Sequence, residues 1–172
     1  MWAKMNQLQD SQMIRELYQA SLAGVPIACN VRGLCCLRAG VPGVLPTIKV
    51  FSTLGRFLEH SRIYRFENGG TPEFFIGSAD WMTRNLSRRM EVVAPVCDPV
   101  IKAELETILR TYEEDNCSAW DMQPDGGYLL RHPAAGEYRM GAQEVFIERA
   151  VKPGLSVGFP DVFSRLCGGP RR

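Results

Sequence analysis

The sequence predicts a mixed α/β domain, a sheet flanked by helices. Three observations carry this. Apolar residues recur at helical spacing near the start and again after residue 100, and short runs that alternate every second residue lie between them. The two periodicities follow one another along the chain, as in a layered α/β architecture. The 172 residues suffice for one buried core.

The elements follow in order. Asp10-Ser11 offers an N-cap, and Met13, Ile14, Leu17, Tyr18, Ser21 and Leu22 carry a helix that Gly24-Val25-Pro26 ends. Ile27, Cys29 and Val31 alternate with Ala28, Asn30 and Arg32, which predicts a strand stopping at Gly33. A Gly- and Pro-bearing loop runs to Pro46, Thr47 to Ser52 reads as a strand, and a turn falls at Gly55 to Glu59. Ser61 to Phe66 and Glu73 to Ser78 read as a hairpin joined through Asn68-Gly69-Gly70-Thr71-Pro72. Met90 to Val96 predicts a further strand. Asp98-Pro99 opens a helix with proline at its first position, carried by Leu105, Ile108, Leu109 and Tyr112 to about Asn116.

From Cys117 onward the periodicity weakens to a loop with a short hairpin at Asp125-Gly126-Gly127, then a short helix from Ala142 to Val151. The expected organisation is an α/β domain over 1–116, an appendage over 117–151 packed on it, and a mobile tail over 152–172.

Charge narrows the partners. Twenty Lys and Arg against 19 Asp and Glu leave a net +1, which argues against duplex nucleic acid or an anionic membrane held by bulk electrostatics. No apolar run approaches the roughly 18 residues that span a bilayer. The opening residues turn polar at Lys4 and lack a signal-peptide core, so a soluble, cytoplasmic protein is expected. The six cysteines contain no C-x-x-C pair, and with His60 and His132 alone as imidazoles no zinc spacing can be assembled; all six read as reduced thiols. No metal ligand set is expected within the chain.

Sixteen of the 20 cations are Arg, the residue suited to forked recognition of phosphate or carboxylate, although GC-rich coding produces the same bias. Position favours the former. From Arg32 through Arg89 the only cation that is not Arg is Lys49, and residues 1–110 hold 13 cations against 10 anions. The positive charge is local.

The informative segment is Phe57-Leu58-Glu59-His60-Ser61-Arg62-Ile63, followed by Glu67 and by Gly77-Ser78-Ala79-Asp80-Trp81. A strand beginning near His60 would point His60 and Arg62 to one face, setting an imidazole that can shuttle a proton beside a guanidinium that holds charged oxygens. Ser78 on the partner strand could approach the same phosphate. A lone histidine at a strand end is also compatible with a purely structural role. The order His-x-Arg, Glu67, Gly-Ser-x-Asp resembles the H-x-K-x4-D…G-S-x-N signature of the phospholipase D superfamily, with Arg for Lys, Glu for Asp and Asp for Asn. The three departures together argue against a plain phosphodiesterase.

Longer motifs sharpen the match. Lys4-Met5-Asn6, Val31-Arg32-Gly33-Leu34-Cys35-Cys36-Leu37-Arg38, Gly40-Val41-Pro42-Gly43, Gly77 through Leu86 and Arg89-Met90-Glu91-Val92 resemble the C-terminal part of bacterial polyphosphate kinases. So does the Trp120…Gln123-Pro124-Asp125-Gly126 stretch, and the resemblance covers about residues 4 to 150. It implies the second of two phospholipase-D-like catalytic halves that face each other across a polyphosphate tunnel. It also implies reversible transfer of the ATP γ-phosphoryl group to polyphosphate through a phosphohistidine in the first half, outside this chain. By position Arg32 and His60 would contact the nucleotide, with His60 as acid, base or orienter. Arg62 and Ser78 would add phosphate contacts, and Asp80 and Glu67 would orient Arg or His. Magnesium would arrive with ATP and take its ligands outside this chain. The upstream half and a homo-oligomer of the full-length protein are the implied partners, and the isolated chain is expected to turn over little. Two readings remain open: a phospholipase-D-like phosphodiesterase acting as a dimer, and a non-catalytic module that binds polyphosphate or nucleotide.

Overall fold

A computed structural model describes residues 1–41 and 47–151. The mobile tail expected over 152–172 and part of the loop before residue 47 lie outside the described residues. The elements are β1 (Trp2–Met5), α1 (Ser11–Leu22), β2 (Ile27–Val31), β3 (Ile48–Thr53), β4 (Ile63–Phe66), β5 (Glu73–Gly77), α2 (Thr83–Arg88), β6 (Val93–Val96), α3 (Pro99–Glu114), β7 (Ala119–Met122), β8 (Tyr128–Leu130) and α4 (Ala142–Val151). One eight-stranded mixed sheet has the order β6-β5-β4-β1-β2-β3-β7-β8, with β1, β2 and β3 parallel and the remaining pairs antiparallel. The predicted sheet flanked by helices is found.

Alternation along the central strands divides the core. Ala3 and Met5 of β1, Cys29 and Val31 of β2 and Val50 of β3 pack with Leu17, Met13 and Ile14 of α1. Ile63, Phe74 and Val96 meet Leu105 and Leu109 of α3 on the other face, while Phe51 and Ala119 meet Tyr112 and Phe146. The sheet is therefore sandwiched between α1 and the α3–α4 pair. Asp10 caps α1 by accepting from the Gln12 and Met13 amides, both at 3.0 Å. Asp98 caps α3 by accepting from Val100 and Ile101 at 2.8 and 3.1 Å, with Pro99 supplying a preset φ at the first position.

Several boundaries differ from the sequence expectation. The strand expected from Ser61 begins at Ile63, and the one expected from Met90 begins at Val93. The short hairpin expected at Asp125-Gly126-Gly127 is present as β7 and β8, and what the sequence did not announce is that β7 pairs with β3, so these residues extend the same sheet. Strand β1 was not predicted: four residues with a lysine among them carry little periodicity, yet all but Trp2 are buried because the strand is central. Helix α2 has six residues and no apolar stripe to announce it.

The register determines what lies at one end of the sheet. Met5 pairs with Val31, Lys4 with both Asn30 and Ile63, Ile63 with Ile76, and Gly77 with Val93. The residues just beyond β1 and β2, just before β4 and just after β5 thus converge on a single edge. It is the carboxyl edge of the parallel strands, where α/β folds place their ligands.

Candidate functional site

Arg32 leaves the end of β2 and Asn6 the end of β1, side by side. The Arg32 amide donates to Met5 O (3.2 Å) and the Gly33 amide to Asn6 O (2.8 Å). Glycine suits this approach, since a Cβ at Gly33 would stand 3.3 Å from Asn6 O. Arg32 Nε donates to Asn6 Oδ1 at 3.2 Å, and its two Nη groups make no hydrogen bond among the described residues.

Asp80 and Arg62 meet across the same edge. Arg62 Nε and Nη2 each donate to the Asp80 carboxylate at 3.1 Å, and Arg62 Nη1 donates to His60 O at 2.9 Å. Asp80 also accepts from the Asn6 amide at 2.8 Å and from Asn6 Nδ2 at 3.2 Å. Asp80 is held from behind: Tyr64 donates to Ala79 O at 2.6 Å, and the Tyr64 ring stacks on Trp81 with centroids 5.1 Å apart. The Trp81 carbonyl then accepts from Gln9 and Asp10, which ties the Gly-Ser-Ala-Asp-Trp segment to the start of α1.

His60 is exposed and precedes β4 in irregular backbone. The expectation that His60 and Arg62 stand two apart on one strand face is corrected here: the strand starts at Ile63, and a side-chain-to-carbonyl bond relates the two residues instead. The residue before it, Glu59, is firmly anchored. The carboxylate of Glu59 is buried and accepts from Tyr112 (2.5 Å) and Gln143 Nε2 (2.7 Å), with Lys4 Nζ at 3.3 Å. Gln143 also braces Phe57, accepting from its amide at 2.8 Å and donating to its carbonyl at 2.9 Å. Lys4 lies over the Tyr112 ring, 4.9 Å from its centroid. Burial pushes the Lys4 ammonium below its usual range, and Glu59 partly restores it. Burial, then Glu59, pushes the Tyr112 hydroxyl up, so it remains a donor.

The Ser78 hydroxyl is already engaged: it donates to Glu91 and accepts from the Val92 amide at 3.1 Å. The bond from Ser78, followed by one from Asn85, holds the Glu91 carboxyl below its ordinary value. Glu67 lies away from this edge, paired with Arg65 at 2.7 Å. The edge therefore gathers Arg32, Arg62 and Asp80 with exposed His60 close by in the chain, and Ser78, its hydroxyl committed to Glu91, lines a cavity of ≈ 690 Å³ together with Arg62. A hollow of ≈ 290 Å³ opens beside Arg32, walled by Leu54, Phe57 and Leu58 and carrying Arg56. Sequence reasoning missed Asn6, Glu59, Tyr112 and Gln143 as supports. A lysine inside an otherwise apolar four-residue run was the available signal for Lys4.

Residues 1–143 match the model of the family described as polyphosphate kinase C-terminal domain 2. The chain belongs to that family. It is 54% identical over 150 residues to the polyphosphate kinase of Thermosynechococcus vestitus, covering 87% of this chain and 20% of that one. With the polyphosphate kinase of Pseudomonas aeruginosa the identity is 46% over 154 residues, 90% of this chain and 22% of the relative. The crystal structure of polyphosphate kinase from Porphyromonas gingivalis superposes with a TM-score of 0.82 at 41% identity, over 86% of this chain and 22% of that one. The family resemblance and the phospholipase-D-like α/β fold expected from the motifs both stand. The chain spans about a fifth of the length of the relatives it matches.

Proposed function

We propose that this chain forms the second catalytic half of a polyphosphate kinase, which moves the γ-phosphoryl group of ATP reversibly onto inorganic polyphosphate. The observation that carries this reading is the convergence of Arg32 and Arg62 through Asn6 and Asp80 on the strand edge that also bears His60. Phosphoryl transfer has a loose transition state, so the protein contributes position and charge stabilisation. Arg32 offers its free Nη fork to phosphate oxygens of the nucleotide. Arg62 keeps N–H donors beyond those used by Asp80 and the His60 carbonyl, and faces the same charge. His60, exposed on a braced backbone, exchanges a proton at a ring nitrogen with the phosphate being transferred. The phosphohistidine that carries the phosphoryl group belongs to the upstream half.

Magnesium does not fit the residues present. Asp80 is filled by Asn6 and Arg62, Glu59 by Lys4, Tyr112 and Gln143, and the described residues hold no group of three candidate ligands. No step is assigned to the ion within this half; with ATP, it would draw on the substrates and on protein outside this chain. In the described residues no helix is long and apolar enough to cross a membrane. A cytoplasmic enzyme, oligomeric when full length, is consistent with this reading.

Mixing the chain with its upstream half tests the reading. Polyphosphate should form from ATP at rates that the chain alone does not approach, with kinases typically at roughly 1–100 per second. Turnover by the chain alone at such rates would overturn the half-site reading. Cleavage of a generic phosphodiester that depends on His60 would favour a dimeric phosphodiesterase. Binding without turnover after mixing would leave a non-catalytic module.

A further inference from the structure

Two guanidinium groups brought to one edge repel each other, and each stands on a long side chain with many rotamers. Something must hold them together before an anion arrives. Asn6 meets that need. Its Oδ1 accepts from Arg32 Nε at 3.2 Å, while its Nδ2 donates to Asp80 at 3.2 and 3.4 Å and its backbone amide donates to Asp80 at 2.8 Å. Asp80 in turn holds Arg62 through two parallel bonds of 3.1 Å. One small side chain therefore links both arginines.

Resting on the functional reading above, we propose that Asn6 is a positioning residue that couples Arg32 to Arg62, so that the two forks are presented to successive phosphate groups as one unit. Only an amide suits the position. It accepts from a guanidinium at one atom and donates to a carboxylate at the other, whereas Asp would face Asp80 as a second buried anion and Ala would free Arg32. Asn6 is 2% exposed, so it acts through the arginines and not on the ligand. The backbone reinforces the link: Asn6 O accepts from Gly33, the residue after Arg32.

The experiment uses the 172-residue chain and sodium tripolyphosphate as probe. In the wild type the side-chain Nε–H of Arg32 should exchange slowly with solvent in nitrogen-15 NMR, without any ligand. In Asn6→Ala, or in the milder Asn6→Ser, that signal should be lost. Calorimetric titration should show tripolyphosphate binding weakened roughly tenfold by Asn6→Ala, the scale of one hydrogen bond to a charged group. In an Arg32→Ala background the same change should alter binding less than about twofold, because the link to Arg32 is already gone and the Asn6 backbone amide still holds Asp80 against Arg62. An equal loss in both backgrounds would mark Asn6 as merely structural and overturn the proposal. So would rapid exchange of Arg32 Nε–H in the wild type, a result that needs no variant to fold. If the Arg32 signal depends on Asn6 but wild type binds no tripolyphosphate, the coupling stands and the polyphosphate reading fails.

Discussion

Lys4 Nζ lies 3.3 Å from Glu59 Oε2, with the lysine 1% exposed, and this ion pair ties β1 to the segment that carries His60. Neither charge reaches water freely, so each depends on the other. Lys4→Met should cost about 3–5 kcal/mol, the usual consequence of stranding one member of a buried pair. Lys4→Met combined with Glu59→Gln should lose clearly less than the sum of the two single changes, since the amide still accepts from Tyr112. Urea unfolding midpoints at constant slope measure both. A loss below about 1 kcal/mol for Lys4→Met would show that the pair contributes no more than a surface one.

His60 separates chemistry from stability. Its ring is exposed and has no side-chain hydrogen bond among the described residues, so His60→Asn should leave the unfolding midpoint unchanged. If the half-site proposal holds, the same change in the chain mixed with an upstream half should lower turnover by about 10²–10⁴, the range for a lost general acid or base. Intact turnover with intact stability would remove His60 from the mechanism.

The fold was legible where periodicity is long: α1, α3 and the β4–β5 hairpin follow from apolar spacing, caps and the Asn-Gly turn. It was not legible at β1, where burial on both faces erases alternation and a lysine occupies a buried position. The candidate site residues were legible by type and order, since Arg32, His60, Arg62 and Asp80 stand in recognisable motifs. Their mutual arrangement was not. An orienting role for Asp80 was expected, but that its partner is Arg62, or that Gln143 braces Phe57, depends on contacts 18 and 86 residues apart in sequence, which local patterns do not encode.

Gly77 closes β5 against the start of β6. A Cβ there would run into the carbonyl oxygen of Val92 and stand 2.9 Å from Val93 Cα, both backbone atoms that cannot swing aside. Gly77→Ala should destabilise the chain by about 1–3 kcal/mol, as overpacking does, and faster amide exchange should concentrate in Val93 to Val96. Glu91 and Ser78 flank this contact, so their bond should loosen as well. An unchanged midpoint would mean that β6 shifts without cost.

Asp115 joins the end of α3 to β7 and α4. Its carboxylate accepts from the amides of Cys117 (3.0 Å), Ser118 (2.7 Å), Ala119 (3.1 Å) and Ala142 (2.8 Å), and from the Ser118 hydroxyl. Burial acts to raise its pKa, but the amide and hydroxyl donors together outweigh burial and hold the carboxyl below its ordinary 3.8. The unfolded chain therefore binds this proton more readily than the folded one. The stabilisation is fully present above the ordinary value and is lost as pH falls through the lower, folded value. Asp115→Asn removes the charge and replaces one acceptor by a donor, so it should be destabilising at neutral pH. The gap in urea midpoint between wild type and Asp115→Asn should narrow as pH is lowered from about 7 to about 3, across the ordinary carboxyl range. A gap independent of pH would show that the cap does not depend on ionised Asp115.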